Sequence, residues 1–233
     1  MATNFSIIIE KLSLQKIKPV EKKAILFELQ YLPPIQYFTK FFQYENVFIE
    51  QHENYTKRSF RNRSHIIMAD GIRRLSIPLK KGKNEQQSIR NVQIIYDENW
   101  QKIHWASIVS AYNNAPFFEH YEHLFQPFYK KRFELLFDFN LALLKTVLQI
   151  LGLNESFKLT ESYQKEVFEG LYDFRNRINP RQFVKNEDHD FSPSKYSQVF
   201  EEKNGFIPNL SILDLIFCTG PQASFYLENS ITN

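Results

Sequence analysis

Ala24-Ile25-Leu26-Phe27-Glu28-Leu29, then Pro33-Pro34, then Ile35-Gln36-Tyr37-Phe38-Thr39-Lys40-Phe41-Phe42, then Val47-Phe48-Ile49-Glu50 is the stretch on which the fold turns. The first run is apolar over a strand's length and two prolines end it, so it reads as a buried strand. Proline suits a first helical turn, and Ile35, Phe38, Phe41 and Phe42 recur at helical spacing, so a helix starts at Ile35. Val47-Phe48-Ile49 opens a second strand. It runs into Glu50-Gln51-His52-Glu53-Asn54-Tyr55, whose polar character predicts an open end lining a cleft.

Further along, His65-Ile66-Ile67-Met68 and Leu75-Ser76-Ile77-Pro78-Leu79 flank Ala69-Asp70-Gly71, and Asp-Gly marks the turn of a β-hairpin. Val92 to Tyr96 reads as another strand, after a polar, mobile loop over Gly82 to Gln87. The second half reads as mostly helical. Asp97 or Asn99 caps a helix carrying Trp100, Ile103, His104, Ile108 and Tyr112. Phe117 to Phe125 is a short helix, and Lys130 to Leu151 a long one stopped by Gly152. Phe157-Lys158-Leu159-Thr160 returns to a strand, which fits a crossover connection. Residues 175–198 read as a long loop, Gln198-Val199-Phe200 as a short strand, and two last helices hinge at Gly220-Pro221. The expected fold is α/β: an N-terminal mixed β-sheet with a β-hairpin, covered by C-terminal α-helices. One domain over 1–233 is expected, sheet-rich over about 20–96 and helix-rich over about 97–229.

Composition narrows the class. The 233 residues are 43 % apolar and 24 % charged, which excludes a disordered or collagenous chain and supports a sizeable core. The single cysteine, Cys218, cannot close an internal disulfide and predicts a reducing, cytoplasmic compartment. Ile7-Ile8-Ile9 meets Glu10 and Lys11 at once, too short for a signal peptide. Leu135 to Leu153 contains Asp138, Asn140, Lys145 and Gln149, so it reads as a buried amphipathic helix, and no membrane insertion is expected. With 23 Phe, 12 Tyr and 2 Trp the chain is rich in rings, most of them at helical spacings that assign them to the core.

The net charge of +3 hides a segregation. Residues 1–56 sum to zero, residues 57–83 to +8 and the remainder to −5. The basic block is an electrostatic footprint for an anion, or else a solvated hairpin whose charges discourage edge pairing. Upstream of it, Glu50, His52 and Asn54 share a face if the segment is extended. Glu50 would then orient and polarise His52 as a proton acceptor, and Lys57, Arg58 and Arg63 would hold an anionic donor. The competing reading is an exposed polar edge strand. His104 lies on an apolar helical stripe, as a core histidine or a reserve base. Glu119-His120-Tyr121-Glu122-His123 lacks a third ligand at recognisable spacing, so no metal is assigned. Cys218 reads as a small buried residue. No phosphate loop, dinucleotide fingerprint or nucleophile elbow occurs, and no cofactor is assigned.

Tyr31-Leu32-Pro33-Pro34-Ile35-Gln36-Tyr37-Phe38, Lys57, Asn62-Arg63 and Leu75-Ser76-Ile77-Pro78 follow one another in an order that resembles the WbqC-like protein family of bacteria. Trp100, His104-Trp105, Tyr112 and Pro116-Phe117-Phe118 extend the resemblance over nearly the whole chain. That family is associated with surface-polysaccharide (O-antigen) gene clusters. The resemblance implies a transferase passing an aminoacyl (glycine-like) or acyl group to an amino sugar or related amine. The expected partners are a small anionic donor and an amine acceptor. Glu50, His52 and His104 are the expected catalytic residues. Tyr31, Asn54, Tyr55, Lys57, Arg58, Asn62, Arg63 and Tyr112 are the expected substrate-binding ones. The alternative is a non-catalytic nucleic-acid-binding or scaffold protein using the basic 57–83 segment. One departure stands out: relatives often carry His-Gln-Pro before Tyr-Leu-Pro, where this chain has Phe27, Glu28 and Leu29.

Overall fold

The computed structural model describes residues 24–80, 87–154, 156–165, 169–180 and 188–232. The readings of Ile7-Ile8-Ile9 and of the loop from Gly82 onward, Gln87 apart, lie outside these residues. In chain order come β1 (Ala24–Glu28), α1 (Ile35–Gln43), β2 (Asn46–Glu50) and the hairpin strands β3 (Arg63–Met68) and β4 (Gly71–Ser76). The helices α2 (Trp100–Tyr112), α3 (Phe118–Phe125) and α4 (Leu136–Ile150) follow. Two short strands, β5 (Lys158–Leu159) and β6 (Leu171–Asp173), precede α5 (Glu201–Asn204), α6 (Ile212–Thr219) and α7 (Ala223–Glu228). The fold is α/β, with a parallel sheet, a separate β-hairpin and helices behind them.

The sheet order is β5-β2-β1-β6, and every pairing is parallel. Parallel neighbours need a crossover, and α1 supplies the one between β1 and β2. Both outer strands come from the second half of the chain, so the sheet is not N-terminal alone. Register partners share a face. Ile25, Phe27, Val47 and Ile49 point into the main core, where Phe27 packs on Tyr37 and Phe41 with ring centroids 4.3 and 5.8 Å away. On the opposite face Ala24, Leu26, Leu171 and Phe48 form a smaller apolar cluster, and Glu28, Glu50 and Asp173 continue that face at the carboxyl end.

The hairpin forms where Asp-Gly places it: Met68 pairs with Gly71, which takes φ +114. Its inner residues Ser64, Ile66 and Leu75 are buried. Three local expectations fail for reasons of partnership. Residues 92–96 make only isolated bridges among the described residues, Leu79 with Ile94 and Gln93 with Leu135, and no described segment continues either into a ladder. The helix expected from Lys130 begins at Leu136, since Leu135 is extended and its neighbours Glu134 and Leu136 bond to Ile94 and Val92. Gln198-Val199-Phe200 is not a strand: the Gln198 side-chain amide takes both main-chain bonds of Ile207, at 2.9 and 2.8 Å. The hinge before α7 holds, and Gly220 is required there. It adopts φ +54, and a Cβ would overlap the Phe117 ring. No helix among the described residues is long and apolar enough to cross a membrane.

Candidate functional site

In open parallel sheets, ligand crevices lie beyond the carboxyl ends of the strands. Here that edge is unusually charged. Glu28 and Glu50 are register partners on the two central strands, 1 % and 0 % exposed. A buried carboxylate needs partners, and each has them. Glu50 Oε1 accepts from the His52 main-chain N–H (2.8 Å) and the Thr160 hydroxyl (2.7 Å). Its Oε2 accepts from the Gln164 N–H (3.1 Å) and lies 3.5 Å from Arg175 Nη1. Glu28 accepts from Gln30 Nε2 and the Asn176 N–H, both at 2.8 Å.

Two arginines balance the acids. Arg175 forks onto Asp173 with bonds of 2.9 and 2.6 Å and stacks over Tyr163. Arg61 is wholly buried and forks onto Glu53 through Nε (2.7 Å) and Nη2 (2.6 Å). Its Nη1 faces Glu28 Oε1 at 3.9 Å, too far for a hydrogen bond. Burial pushes the Glu53 carboxyl up to about 7; the Arg61 bonds pull it down, and Glu28 and Glu50 add to the rise.

The polar run after β2 is not a continued strand. Glu50 captures the His52 N–H and turns the chain, so Glu50, His52 and Asn54 do not line up with period two. Glu50 therefore touches His52 through its main chain, not its ring. The exposed imidazole puts Nε2 3.0 Å from the Thr160 carbonyl, which can only accept. Those partners assign the hydrogen to Nε2 and leave the lone pair on Nδ1. Asn54 is exposed and bridges Ser88 through its backbone.

The +8 block divides by environment. Arg61 is inside, and Arg73 pairs with Asp70 at 3.3 Å on the surface. Lys80 donates to Gln93, and Lys81 and Lys83 lie outside the described residues. Lys57 and Arg58 are exposed, and Arg63 is half-buried at the start of β3. Burial, Arg74 and Arg58 together lower the Arg63 pKa. Tyr55 and Asn62 brace this loop: the Tyr55 hydroxyl donates to Asn62 Oδ1 (3.0 Å), and Asn62 Nδ2 donates to the Ile77 carbonyl (2.9 Å).

The profile of the WbqC-like protein family matches residues 30–188, well over half of the chain. The chain belongs to the WbqC-like protein family. It is also similar to the uncharacterized protein Rv1507c of Mycobacterium tuberculosis, 26 % identical over 229 residues, covering 89 % of this chain and 98 % of that protein. No solved structure matches significantly.

The matched WbqC-like segment includes the Tyr-Leu-Pro-Pro motif, which is a structural hub. Leu32 takes φ +40, and its carbonyl collects the hydroxyls of Ser64 (2.8 Å) and Ser211 (3.1 Å). Tyr31 is buried with its hydroxyl between His104 Nδ1 (3.0 Å) and the Tyr129 hydroxyl (2.8 Å). His104 Nε2 accepts the Ser76 main-chain N–H at 3.1 Å, so Nδ1 carries the ring hydrogen and no lone pair remains for a substrate. Burial lowers this ring's pKa to about 4. Tyr112 is buried against Phe217, beside Asp214. Phe27 is turned into the aromatic core under α1.

Among the described residues no group of three or more His, Cys, Asp or Glu is placed to hold a metal. His120 and His123 are exposed, and burial raises the Cys218 thiol above its usual range. Sequence reasoning missed Glu28, Glu53, Arg61, Thr160 and Arg175. Glu28 carried a signal, as a lone charge inside an otherwise apolar strand. Thr160 and Arg175 carried none, since only the sheet order brings them to Glu50.

Proposed function

We propose that this WbqC-like chain is a small-molecule transferase that passes an aminoacyl (glycine-like) or acyl group to an amino sugar or related amine. Surface-polysaccharide biosynthesis is the setting we assign to it, with related small-molecule pathways as the wider class. The observation that carries the reading is His52: an exposed imidazole at the carboxyl edge of a parallel sheet, with its tautomer set so that Nδ1 is the basic atom. The acceptor amine attacks the acyl carbon and its proton goes to His52 Nδ1. The bond to the anionic carrier breaks, with the electron pair leaving on the carrier.

Glu50 serves as a positioning residue, because its bonds to the His52 N–H and to Thr160 hold both ends of the imidazole's support. Lys57, Arg58 and Arg63 are the donor's counter-charges, and Arg63 suits bidentate contact. Nucleic acid finds less here than the raw charge count promised, since Arg61 is turned inside and Arg73 is paired.

The test is turnover by His52→Ala and Arg63→Ala, with acyl and aminoacyl donors offered against amino-sugar acceptors. The expectation is a loss of about 100-fold or more for the missing base and a raised KM for the missing arginine. Unchanged turnover in both variants would remove the assignment.

A further inference from the structure

The face of the hairpin opposite Ser64, Ile66 and Leu75 carries a group of cations with no carboxylate partner among the described residues. Arg63 pairs with Ser76 across the ladder, and His65 pairs with Arg74. Directly opposed residues share a face, so these four side chains form one patch. Within it, Arg63 Nε and Ser76 Oγ are closed off from solvent and have no hydrogen-bond partner among the described residues. Arg58 adds its charge from the preceding turn. Among the described residues, no carboxylate pairs with Arg58, Arg63 or Arg74, although Arg61, Arg73, Arg90 and Arg175 all have one. His65 cannot join as a fourth cation, since burial and the two flanking guanidiniums lower its pKa to about 4.

Like charges gathered on one face repel, and a buried N–H without an acceptor costs stability. An anion seated over this face relieves the repulsion. The patch is also held rigidly, because His104 Nε2 takes the Ser76 N–H and fixes β4 against α2. A carboxylate would neutralise one of the three guanidiniums and has two oxygens to share. A phosphate ester brings about two negative charges and three strong acceptor oxygens, which matches the donors available.

We infer that the Arg63–Arg74–Ser76 face binds a phosphoryl group, with Arg58 closing over it. Arg63 and Arg74 donate through their terminal guanidinium nitrogens, with Arg63 Nε and the Ser76 hydroxyl beneath the group. Placing that phosphoryl group on the carrier of the transferred group rests on the transferase reading; the binding itself does not. It adds Arg74 and Ser76 to the donor site and makes His104 a positioning residue for Ser76.

The experiment is isothermal titration of the full chain at low salt with inorganic phosphate, pyrophosphate and acetate, followed by Arg74→Ala, Ser76→Ala and Arg73→Ala. Phosphate and pyrophosphate are expected to bind and acetate not to. Arg74 is exposed, so its loss spares folding, and it should weaken binding about tenfold or more, the worth of one charge-assisted hydrogen bond. Ser76→Ala should weaken it less. Arg73 lies on the opposite face, opposed to Ile66, and Arg73→Ala should leave the affinity unchanged.

No binding up to about 10 mM, where a millimolar site would fill, overturns the inference. So does acetate binding as well as phosphate, or Arg73→Ala weakening binding as much as Arg74→Ala. An oligonucleotide that binds by both faces, with a steep salt slope, overturns it in favour of a nucleic-acid surface. Phosphate that binds normally while His52→Ala leaves transfer unchanged keeps this site and removes the transferase mechanism; the converse pattern does the reverse.

Discussion

Replacing Arg61 by methionine removes the charge at the centre of the carboxylate edge while keeping much of the side chain's bulk. Arg61 is wholly buried, and its partner Glu53 is nearly so. The variant deprives the Glu53 carboxylate of bonds of 2.7 and 2.6 Å and takes away the cation 3.9 Å from Glu28. Breaking a buried ion pair from one side costs about 3–5 kcal/mol, because the remaining charge stays in the interior without compensation. Against a total stability of about 5–15 kcal/mol, that loss should move the urea midpoint far down.

The loss should also depend on pH, with a definite sign. Burial holds the Glu53 carboxyl up at about 7 even with Arg61 present. A protonated Glu53 needs no counter-charge, so Arg61→Met should cost much less at pH 5 than at pH 8. Urea unfolding of the variant at both pH values measures this. Adding Glu53→Met should recover most of the loss, since an apolar pair of similar volume substitutes well for a buried ion pair. A loss below about 1 kcal/mol at pH 8, or a double variant no more stable than the single one, would refute the reasoning.

Two buried titratable groups give three further outcomes. Asp214 accepts from the Tyr196 hydroxyl and from Gln198 Nε2 (2.8 Å) with its carboxyl raised by burial from 3.8 to about 6. A raised carboxyl binds a proton that the unfolded chain releases, so its stabilisation is present below about pH 4 and lost as pH rises through 6. At about 1.4 kcal/mol per unit, Asp214→Asn should flatten a slope of about 3 kcal/mol across that window; urea midpoints that keep the wild-type slope contradict this. His104→Leu strands the Ser76 N–H and leaves the Tyr31 hydroxyl to Tyr129 alone, and should lower stability by about 1–3 kcal/mol in the same assay. In the wild type, the His104 ring followed by NMR should stay neutral down to nearly pH 4, and a titration near 6.5 would contradict the assigned partners.

Much of the fold was legible because it depends on local pattern. The apolar run at Ala24, the prolines, the helical spacing from Ile35 and the Asp-Gly turn each specify backbone shape within a few residues, and each stands where expected. The failures share a cause. Residues 92–96 have strand composition, but a strand exists only if a neighbour supplies a ladder, and none of the described residues continues one there. The Lys130 helix started late because Glu134 and Leu136 bond to the 92–94 segment, a pairing across about forty residues that no propensity reports.

The site divides along the same line. The density of polar residues from Glu50 to Arg63 marked the right region, and the charge segregation marked the hairpin. Period two, applied past Glu50, could not anticipate that this side chain would fold back on the His52 N–H and end the strand. Nor does a block charge of +8 distinguish Arg61, sealed against Glu53, from Arg63 and Arg74, which no carboxylate among the described residues pairs.

By itself the sequence determined the α/β class, the βαβ opening, the hairpin and the family resemblance, because short-range sterics and hydrophobic periodicity act along the chain. The tertiary structure decided which charges face each other. Thr160 and Arg175 reach Glu50 only because β5 and β6 add to opposite edges of a sheet begun over a hundred residues earlier. Protonation, tautomer and pairing follow from distance and burial, and both are properties of the folded chain.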